Sequence, residues 1–127
     1  LGFAFLSYTN AVLESGVKII LEETKLESFI KNADFVITGE GRLDGQTVMG
    51  KAPIGVAEIA KKYEKKVLAF GGCVAEDATL CNQHGIDAFF PILRTITTLK
   101  EAMDFNHAKE NLSAAVEQVF RLIQSFK

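Results

Sequence analysis

Short apolar runs that alternate with helical segments constrain the fold of this chain more than any other feature. Three runs of the length and character of buried strands cover residues 33–38, 66–71 and 87–92, and the first two run into glycine. Segments with helical periodicity lie between them and after them. Strands that alternate with helices predict a parallel sheet covered on both faces, so we expect an α/β fold with three layers, α/β/α.

The same periodicity indicates where the helices lie. Helices are predicted over residues 2–14, 16–23, 26–32, 54–63 and 77–84, and a long one closes the chain. Residues 16–23 also contain β-branched side chains that would suit a strand, but a helix is favoured. The long helix has one apolar face, made of Leu112, Val116, Val119, Ile123 and Phe126.

Local signals mark the ends of three of these helices. Pro53 suits a first helical turn, where the missing N–H costs nothing, and Gly85 suits the position just after a helix. Thr98 and Glu101 have the spacing of a capping box. We therefore expect a helix to begin shortly after residue 98.

Length and composition point to one globular α/β domain over residues 1–127 and exclude several classes of protein. The formal charge is −2, with Lys and Arg scattered, so nothing indicates a nucleic-acid partner. No apolar run approaches the ~20 residues of a membrane span, and no basic segment precedes the apolar start as in a signal peptide. Two cysteines without a secretory signal favour the cytoplasm. The chain starts at Leu1 within a helical pattern, which predicts that it is the C-terminal part of a longer chain.

The stretch from Thr38 to Pro53 is the densest in functional groups. Residues 45–51 fit the P-loop spacing G-x-x-x-x-G-K, but Ala52 follows where a P-loop has Ser or Thr. Six residues also separate Thr38 from Gly45, whereas a P-loop leaves its strand almost directly. Four glycines and a lysine before a helix start still suit an anion such as phosphate. Three interpretations stay open on composition alone: a P-loop, a different phosphate-handling loop, or an exposed polar turn.

Long motifs resolve this ambiguity by resemblance. The run TGEGRLDGQT at 38–47, followed by GKAPIGVA at 50–57, resembles the signature of the bacterial glycerate kinase family, type 1. SGVKIIL at 15–21, ADFVITG at 33–39 and GIDA at 85–88 match the family as well. The resemblance covers nearly the whole chain and corresponds to the C-terminal third of a two-domain enzyme. Ala52 is compatible with the loop of this family, which has no Walker A motif.

The resemblance implies an ATP-dependent kinase that phosphorylates a hydroxyl of glycerate, with ATP and Mg²⁺ as cofactors. Its substrates are small molecules, no membrane is involved, and a homodimer is left open. The active site is expected between the two domains, so the fragment alone is expected to be inactive. A non-catalytic α/β module that binds a phosphorylated ligand or a partner is the alternative; a serine hydrolase is disfavoured because the chain has no G-x-S-x-G elbow.

Individual roles follow from the chemistry of phosphoryl transfer. Asp44 is the candidate base or Mg²⁺ ligand, with a turn-former as its structural alternative, and Glu40 is the second catalytic carboxylate. Arg42 suits a phosphate or carboxylate, unless it is an ordinary surface arginine, and Lys51 suits a phosphate. The other predicted substrate- or nucleotide-binding residues are Thr38, Gly39, Gly41, Gln46, Thr47, Gly50, Gly71 and Gly72.

The remaining chemistry-bearing residues are predicted to be structural. Cys73 and Cys81 lack the short spacing of a zinc pair, so both are expected to be buried or half-buried thiols. His107 is expected to be solvated near a helix start. The ten phenylalanines are expected mostly to pack in the core.

Overall fold

The computed structural model describes residues 16–127, and the helix predicted over 2–14 lies outside them. Within these residues three strands form a parallel sheet in the order β1-β2-β3. The elements are α1 (Gly16–Glu23), α2 (Leu26–Ile30), β1 (Phe35–Leu43), α3 (Ala52–Lys62), β2 (Lys66–Val74), a 3₁₀ helix (Glu76–His84), β3 (Ala88–Pro91), α4 (Leu99–Met103) and α5 (Phe105–Gln124). No helix among residues 16–127 combines the length and apolar character that crossing a membrane requires.

Two apolar clusters, one on each face of the sheet, confirm the three-layer prediction. On one face, Val67 and Ala69 of β2 pack with Ile54 and Ala57 of α3. On the other face, Leu68 and Phe70 pack with side chains of α5, including Val119. Consecutive side chains of β2 therefore enter opposite cores, as the period of two along a strand dictates.

Most of the local helix signals are confirmed. Residues 16–23 are helical, Pro53 lies in the first turn of α3, and Thr98 and Glu101 form a complete capping box. Gly85 adopts a φ of 99°, the left-handed conformation that glycine tolerates at a helix end. The segment before it is a 3₁₀ helix rather than an α-helix.

The prediction that five residues of the last helix form one buried apolar face is wrong for two of them, one toward each end. Phe126 lies beyond α5, which ends at Gln124, and is 84 % exposed. Leu112 is also exposed, whereas Val119 is buried. Phe29 and Phe105 are exposed as well, so packing does not account for every phenylalanine. Periodicity identifies the face of a helix but not how far along it the sheet extends.

β1 and β2 are longer than predicted. The sequence places a loop from Gly39 onward and another from Gly71, but both strands run on, to Leu43 and Val74, and stay paired. Glycine usually ends strands, yet here two glycines let the strands approach: a Cβ on Gly72 would lie 2.8 Å from the carbonyl oxygen of Gly41. The glycine-rich segments are therefore largely sheet.

The glycines also mark a change of face in the first strand. Val36 and Leu43 belong to the same buried cluster although seven positions separate them. Strict alternation would send residues an odd number apart to opposite faces. The pairing omits Gly41 and Gly72 but keeps the same register on either side, so both strands change face together at the two glycines. Leu43 can then return to the core and carry Asp44 to the sheet edge.

An aspartate fixes the opposite, amino-terminal end of the sheet. The carboxylate of Asp87 accepts a hydrogen bond of 2.7 Å from the backbone N–H of Val67, at the start of β2. It also pairs with Lys61 of α3 and, at 3.7 Å, with Lys66. Burial favours a raised pKa for Asp87, but these partners, Lys61 first, outweigh it and lower the pKa below its ordinary value.

Candidate functional site

The sequence-predicted site residues gather at the carboxyl end of the parallel sheet. Thr38, Gly39, Glu40, Gly41 and Arg42 lie in β1; Gly71 and Gly72 lie beside them in β2; Asp44, Gln46, Thr47 and Gly50 lie in the loop that follows β1; Lys51 precedes α3. The two strand ends meet there, since the N–H of Ala75 donates to the carbonyl of Leu43 at 2.9 Å. Ligands of open α/β sheets bind at this edge.

The carboxylate of Asp44 is held on both oxygens. Oδ1 accepts a hydrogen bond of 2.9 Å from the backbone N–H of Gln46, and Oδ2 accepts one of 3.1 Å from Nε of Arg42. The side chain of Asp44 is 16 % exposed, whereas that of Arg42 is 62 % exposed. The bond to Gln46 is the turn-forming contact that the sequence left as an alternative. The ion pair with Arg42 adds a charged contact that a plain turn does not need.

The environment of Asp44 favours its ionised form. Partial burial would raise its pKa, but the hydrogen bonds from Gln46 and Arg42 and the charge of Lys51 outweigh this effect and lower the pKa. Asp44 therefore stays a carboxylate at neutral pH. A lowered pKa weakens a proton acceptor, so the environment suits cation binding better than general-base catalysis.

Thr47 lies beneath this loop with its side chain fully buried. Its hydroxyl accepts a hydrogen bond of 3.1 Å from the N–H of Asp44, and its own N–H donates to the carbonyl of Asp44 at 3.1 Å. The thiol of Cys81 lies 3.9 Å from the same carbonyl oxygen. The structure thus gives the Thr47 hydroxyl an internal partner, while the side chain of Gln46 stays exposed.

Lys51 joins the loop to the start of α3. Its backbone precedes the first helical turn as an N-cap without a side-chain cap, and its N–H donates to the carbonyl of Thr47 at 3.3 Å. Its charge acts on the carboxylate of Asp44. A cation next to a helix N-terminus is otherwise unfavourable, because both are positive, so this pairing suits a shared anion.

The loop glycines have different reasons to be glycine. Gly50 has a φ of 95° and needs the left-handed freedom of glycine. Gly45 has no positive φ; it faces the Asp77 carboxylate so closely that a Cβ there would force a shift. Gly41 meets nothing within 4 Å and has a negative φ, so neither packing nor conformation among the described residues requires glycine there. Asp77 is a neighbour that sequence reasoning missed, because the contact joins distant segments.

A groove of about 830 Å³ runs along the other predicted residues. Thr38, Gly39, Glu40 and Gly41 form one wall, and Gly72 continues it in β2. The remaining lining is apolar and comes from all three strand regions and α5: Ile37, Phe70, Ile92, Leu112 and Val116. The sequence did not indicate that α5 would contribute to this groove, since only tertiary packing brings it there.

The two cysteines differ more than the sequence suggested. Cys81 is buried, and burial, followed by the nearby Asp44 carboxylate, raises the pKa of its thiol. Cys73 is exposed, so the expectation that both thiols would be at least half-buried is wrong for this residue. It lies opposite Arg42 near the end of β2, and its neighbour Val74 is the residue that packs against the core. His107 is exposed near the start of α5, as predicted.

Comparisons with known proteins agree with one another. A family model described as "Glycerate kinase family" matches residues 1–124. Glycerate kinase of Bacillus subtilis is 42 % identical over the whole chain, and Glycerate 2-kinase of Escherichia coli is 43 % identical over 94 % of it. A solved structure titled putative glycerate kinase 2, from Salmonella typhimurium, matches the entire chain with a TM-score of 0.67 and 35 % identity. The chain spans only about a third of these relatives: 33 %, 31 % and 31 % of their lengths.

Proposed function

This chain belongs to the glycerate kinase family, and we propose that the full-length protein transfers a phosphoryl group from ATP to a hydroxyl of glycerate. The observation that carries the proposal is the arrangement of Arg42, Asp44 and Lys51 at the carboxyl end of β1, within the longest family motif. Phosphoryl transfer depends on positioning and on charge neutralisation, and this arrangement offers both. The reaction is proposed for the cytoplasm, where ATP is supplied.

Lys51 is proposed to contact a phosphate of ATP. Its side chain is half-buried and follows the tight turn at Gly50, so its position is constrained. The start of α3 adds the positive end of a helix dipole. Arg42 is the second cation; its large exposure leaves guanidinium donors free to bind a phosphate or the carboxylate of glycerate while Nε holds Asp44.

The donor set at Asp44 fits Mg²⁺. Each carboxylate oxygen has one hydrogen bond from the protein and retains a lone pair, and Mg²⁺ in kinases commonly takes one or two carboxylates together with phosphate oxygens. No trio of His, Cys, Asp and Glu side chains among residues 16–127 forms a metal cage, so Asp44 would act with the nucleotide. When bound, the metal would neutralise charge on the transferring phosphate.

The groove beside β1 is proposed to take the substrates. Gly41 presents bare backbone, so a ligand can approach closely, and Gly39 and Gly72 flank it. Glu40 is proposed as the second carboxylate, which binds glycerate hydroxyls. Thr38 supplies a hydroxyl to the same wall. Gln46, exposed beside Asp44, is proposed as a further hydrogen-bond donor to substrate.

A direct assay tests the proposal. The full-length protein should release ADP only when glycerate, ATP and Mg²⁺ are all present, and ³¹P NMR of the product will separate 2- from 3-phosphoglycerate. The 127-residue chain should be inactive in the same assay, because a site between two domains needs both walls to align its substrates. Circular dichroism must first establish that the short chain is folded.

Two outcomes would contradict the proposal. A folded full-length protein that binds nucleotide or a phosphorylated ligand without turnover would favour the non-catalytic module. Activity of the short chain close to that of the full-length protein would refute the shared site and would assign all catalytic groups to these residues.

A further inference from the structure

Among residues 16–127, Thr47 is the one buried residue with a polar side chain, and it has no exposed surface. Its side chain sits between the loop and Cys81, whose sulfur it also reaches. A buried hydroxyl costs free energy unless it is hydrogen-bonded, so its partners show what it stabilises. The partners of Thr47 are backbone groups of the same loop.

Three hydrogen bonds from Thr47 reach the two charged residues of the proposed site. Its hydroxyl accepts from the N–H of Asp44 at 3.1 Å, and its N–H donates back to the carbonyl of Asp44 at 3.1 Å. Its carbonyl accepts from the N–H of Lys51 at 3.3 Å. One buried residue thus fixes the backbone of the carboxylate on one side and that of the cation on the other.

Backbone hydrogen bonds also hold both ends of the loop: the carbonyl of Leu43 accepts from Ala75, and that of Lys51 accepts from Ile54 and Gly55. The contacts of the Asp44 carboxylate go to Gln46 and Arg42, both exposed, and Gly50 adopts a φ of 95° in the last turn before Lys51. Between these two ends, Thr47 is fully buried and bonds to the backbone of both Asp44 and Lys51. Displacement by about 1 Å of a catalytic group can cost roughly 100-fold in rate.

We infer that Thr47 is a positioning residue, which sets the separation of the Asp44 carboxylate and the Lys51 ammonium without touching substrate. The inference rests on the proposed function, because it assigns to those two groups a shared phosphate. The sequence suggested that Thr47 contacts a ligand; in this inference it instead holds the two residues that do.

Two substitutions in the full-length protein separate the hydroxyl from the rest of the side chain. Thr47→Val keeps the shape and leaves the N–H of Asp44 without an acceptor, whereas Thr47→Ser keeps the acceptor. Thr79→Val, at an exposed threonine of the 3₁₀ helix, is the matched control. We expect kcat to fall about 10- to 100-fold in Thr47→Val, to stay within about threefold in Thr47→Ser, and to be unchanged in the control.

The Michaelis constants separate positioning from a direct contact. A threonine that bound glycerate would raise the KM for glycerate when its hydroxyl is lost, whereas a positioning residue lowers kcat and leaves that KM nearly constant. Assays are run well below the melting temperature of each variant, so loss of folded protein does not enter kcat.

Amide hydrogen exchange gives a readout that does not depend on activity. In Thr47→Val the amides of Asp44 and Lys51 should exchange at least about 10-fold faster, while that of Ala69 in β2 stays protected. In Thr47→Ser all three should match the wild type. If the wild type fails to phosphorylate glycerate, the proposed function fails, and exchange still tests the anchoring role.

Either of two results would overturn the inference. One is a folded Thr47→Val protein with normal kcat and unchanged exchange at Asp44 and Lys51. The other, available even if Thr47→Val does not fold, is a folded Thr47→Ser protein that has lost turnover, since the hydroxyl alone would then be insufficient.

Discussion

Two aspartates at opposite ends of the sheet make the same kinds of contact but have different roles. Asp44, after β1, and Asp87, before β3, each accept a backbone N–H and pair with a cation, and each has a lowered pKa. The partners of Asp87 lie 20 and 26 positions away, so it joins α3 and β2 to β3. The side-chain bonds of Asp44 reach only two positions away, to Arg42 and Gln46.

This difference separates a structural carboxylate from one available for chemistry. Long-range contacts tie elements together and hold the fold, whereas contacts within one loop orient a side chain and add little to global stability. Removing Asp87 should therefore affect stability, and removing Asp44 should affect turnover. The predictions below test this contrast from its largest expected effect to its smallest.

The largest effect is expected from Asp44→Asn in the full-length protein. Asn keeps the size and can still accept the N–H of Gln46, but it carries no charge for Mg²⁺ or for Arg42. Turnover should fall about 10²- to 10⁴-fold in an ADP-coupled assay, because a bound metal contributes several kcal/mol of transition-state stabilisation and each ~1.4 kcal/mol is tenfold in rate. The melting temperature should barely change.

Asp34→Asn provides the control for this prediction. Asp34 is exposed just before the amino end of β1, at the opposite end of the strand from the site. It should leave both turnover and melting temperature as in the wild type. Near-normal turnover in a stable Asp44→Asn protein would reduce Asp44 to a turn-former and erase its difference from Asp87.

An intermediate effect is expected from Lys51→Ala. The substitution removes one point charge beside the start of α3, and a charged hydrogen bond of ~1–3 kcal/mol corresponds to a roughly 5- to 150-fold loss of nucleotide affinity. Titration of nucleotide at fixed salt measures it. Lys62→Ala, at the other end of the same helix, is the control and should bind normally. Equal affinities for all three proteins would exclude Lys51 from the phosphate contacts.

Much of the fold could be predicted because its signals are local. The capping box at Thr98 and the helix end at Gly85 depend on residues only a few positions apart, and both are confirmed. The alternation of apolar runs and helices likewise yields the parallel sheet. The lengths of β1 and β2 were missed because glycine argues locally against a strand, while pairing between Gly41 and Gly72 segments is non-local.

The sequence indicated which residues of the candidate site would lie near one another, but not how they are held. The family motif brings Arg42, Asp44 and Lys51 to one loop in the sequence, and the structure keeps them together. Thr47 is fully buried next to Cys81, which lies 34 positions further along and reaches the loop through the 3₁₀ helix. Composition alone gives no sign of such a contact, so the sequence predicts a ligand contact for Thr47 and cannot indicate its burial.

The smallest and most selective effect is expected from Asp87→Ala. Its side chain is 30 % exposed, so solvent screens its ion pairs, and we expect the free energy of unfolding to fall by only about 1–2 kcal/mol at pH 7. The kcat of the folded enzyme should be unchanged, because the amino end of the sheet lies away from the site. Asp34→Ala serves as the control and should alter neither quantity.

The pH dependence of this variant follows from the lowered pKa of Asp87 in the folded protein. A carboxylate with a depressed folded pKa stabilises the protein above its unfolded pKa of about 3.9, and the contribution disappears as the pH falls through the folded value. The melting temperatures of wild type and Asp87→Ala should therefore differ at pH 6–7 and converge below about pH 4. A constant difference across this range would mean that the charge of Asp87 contributes nothing and that only packing was lost. Loss of kcat in folded Asp87→Ala protein would mean that the two aspartates are coupled through the sheet and are not separate in function.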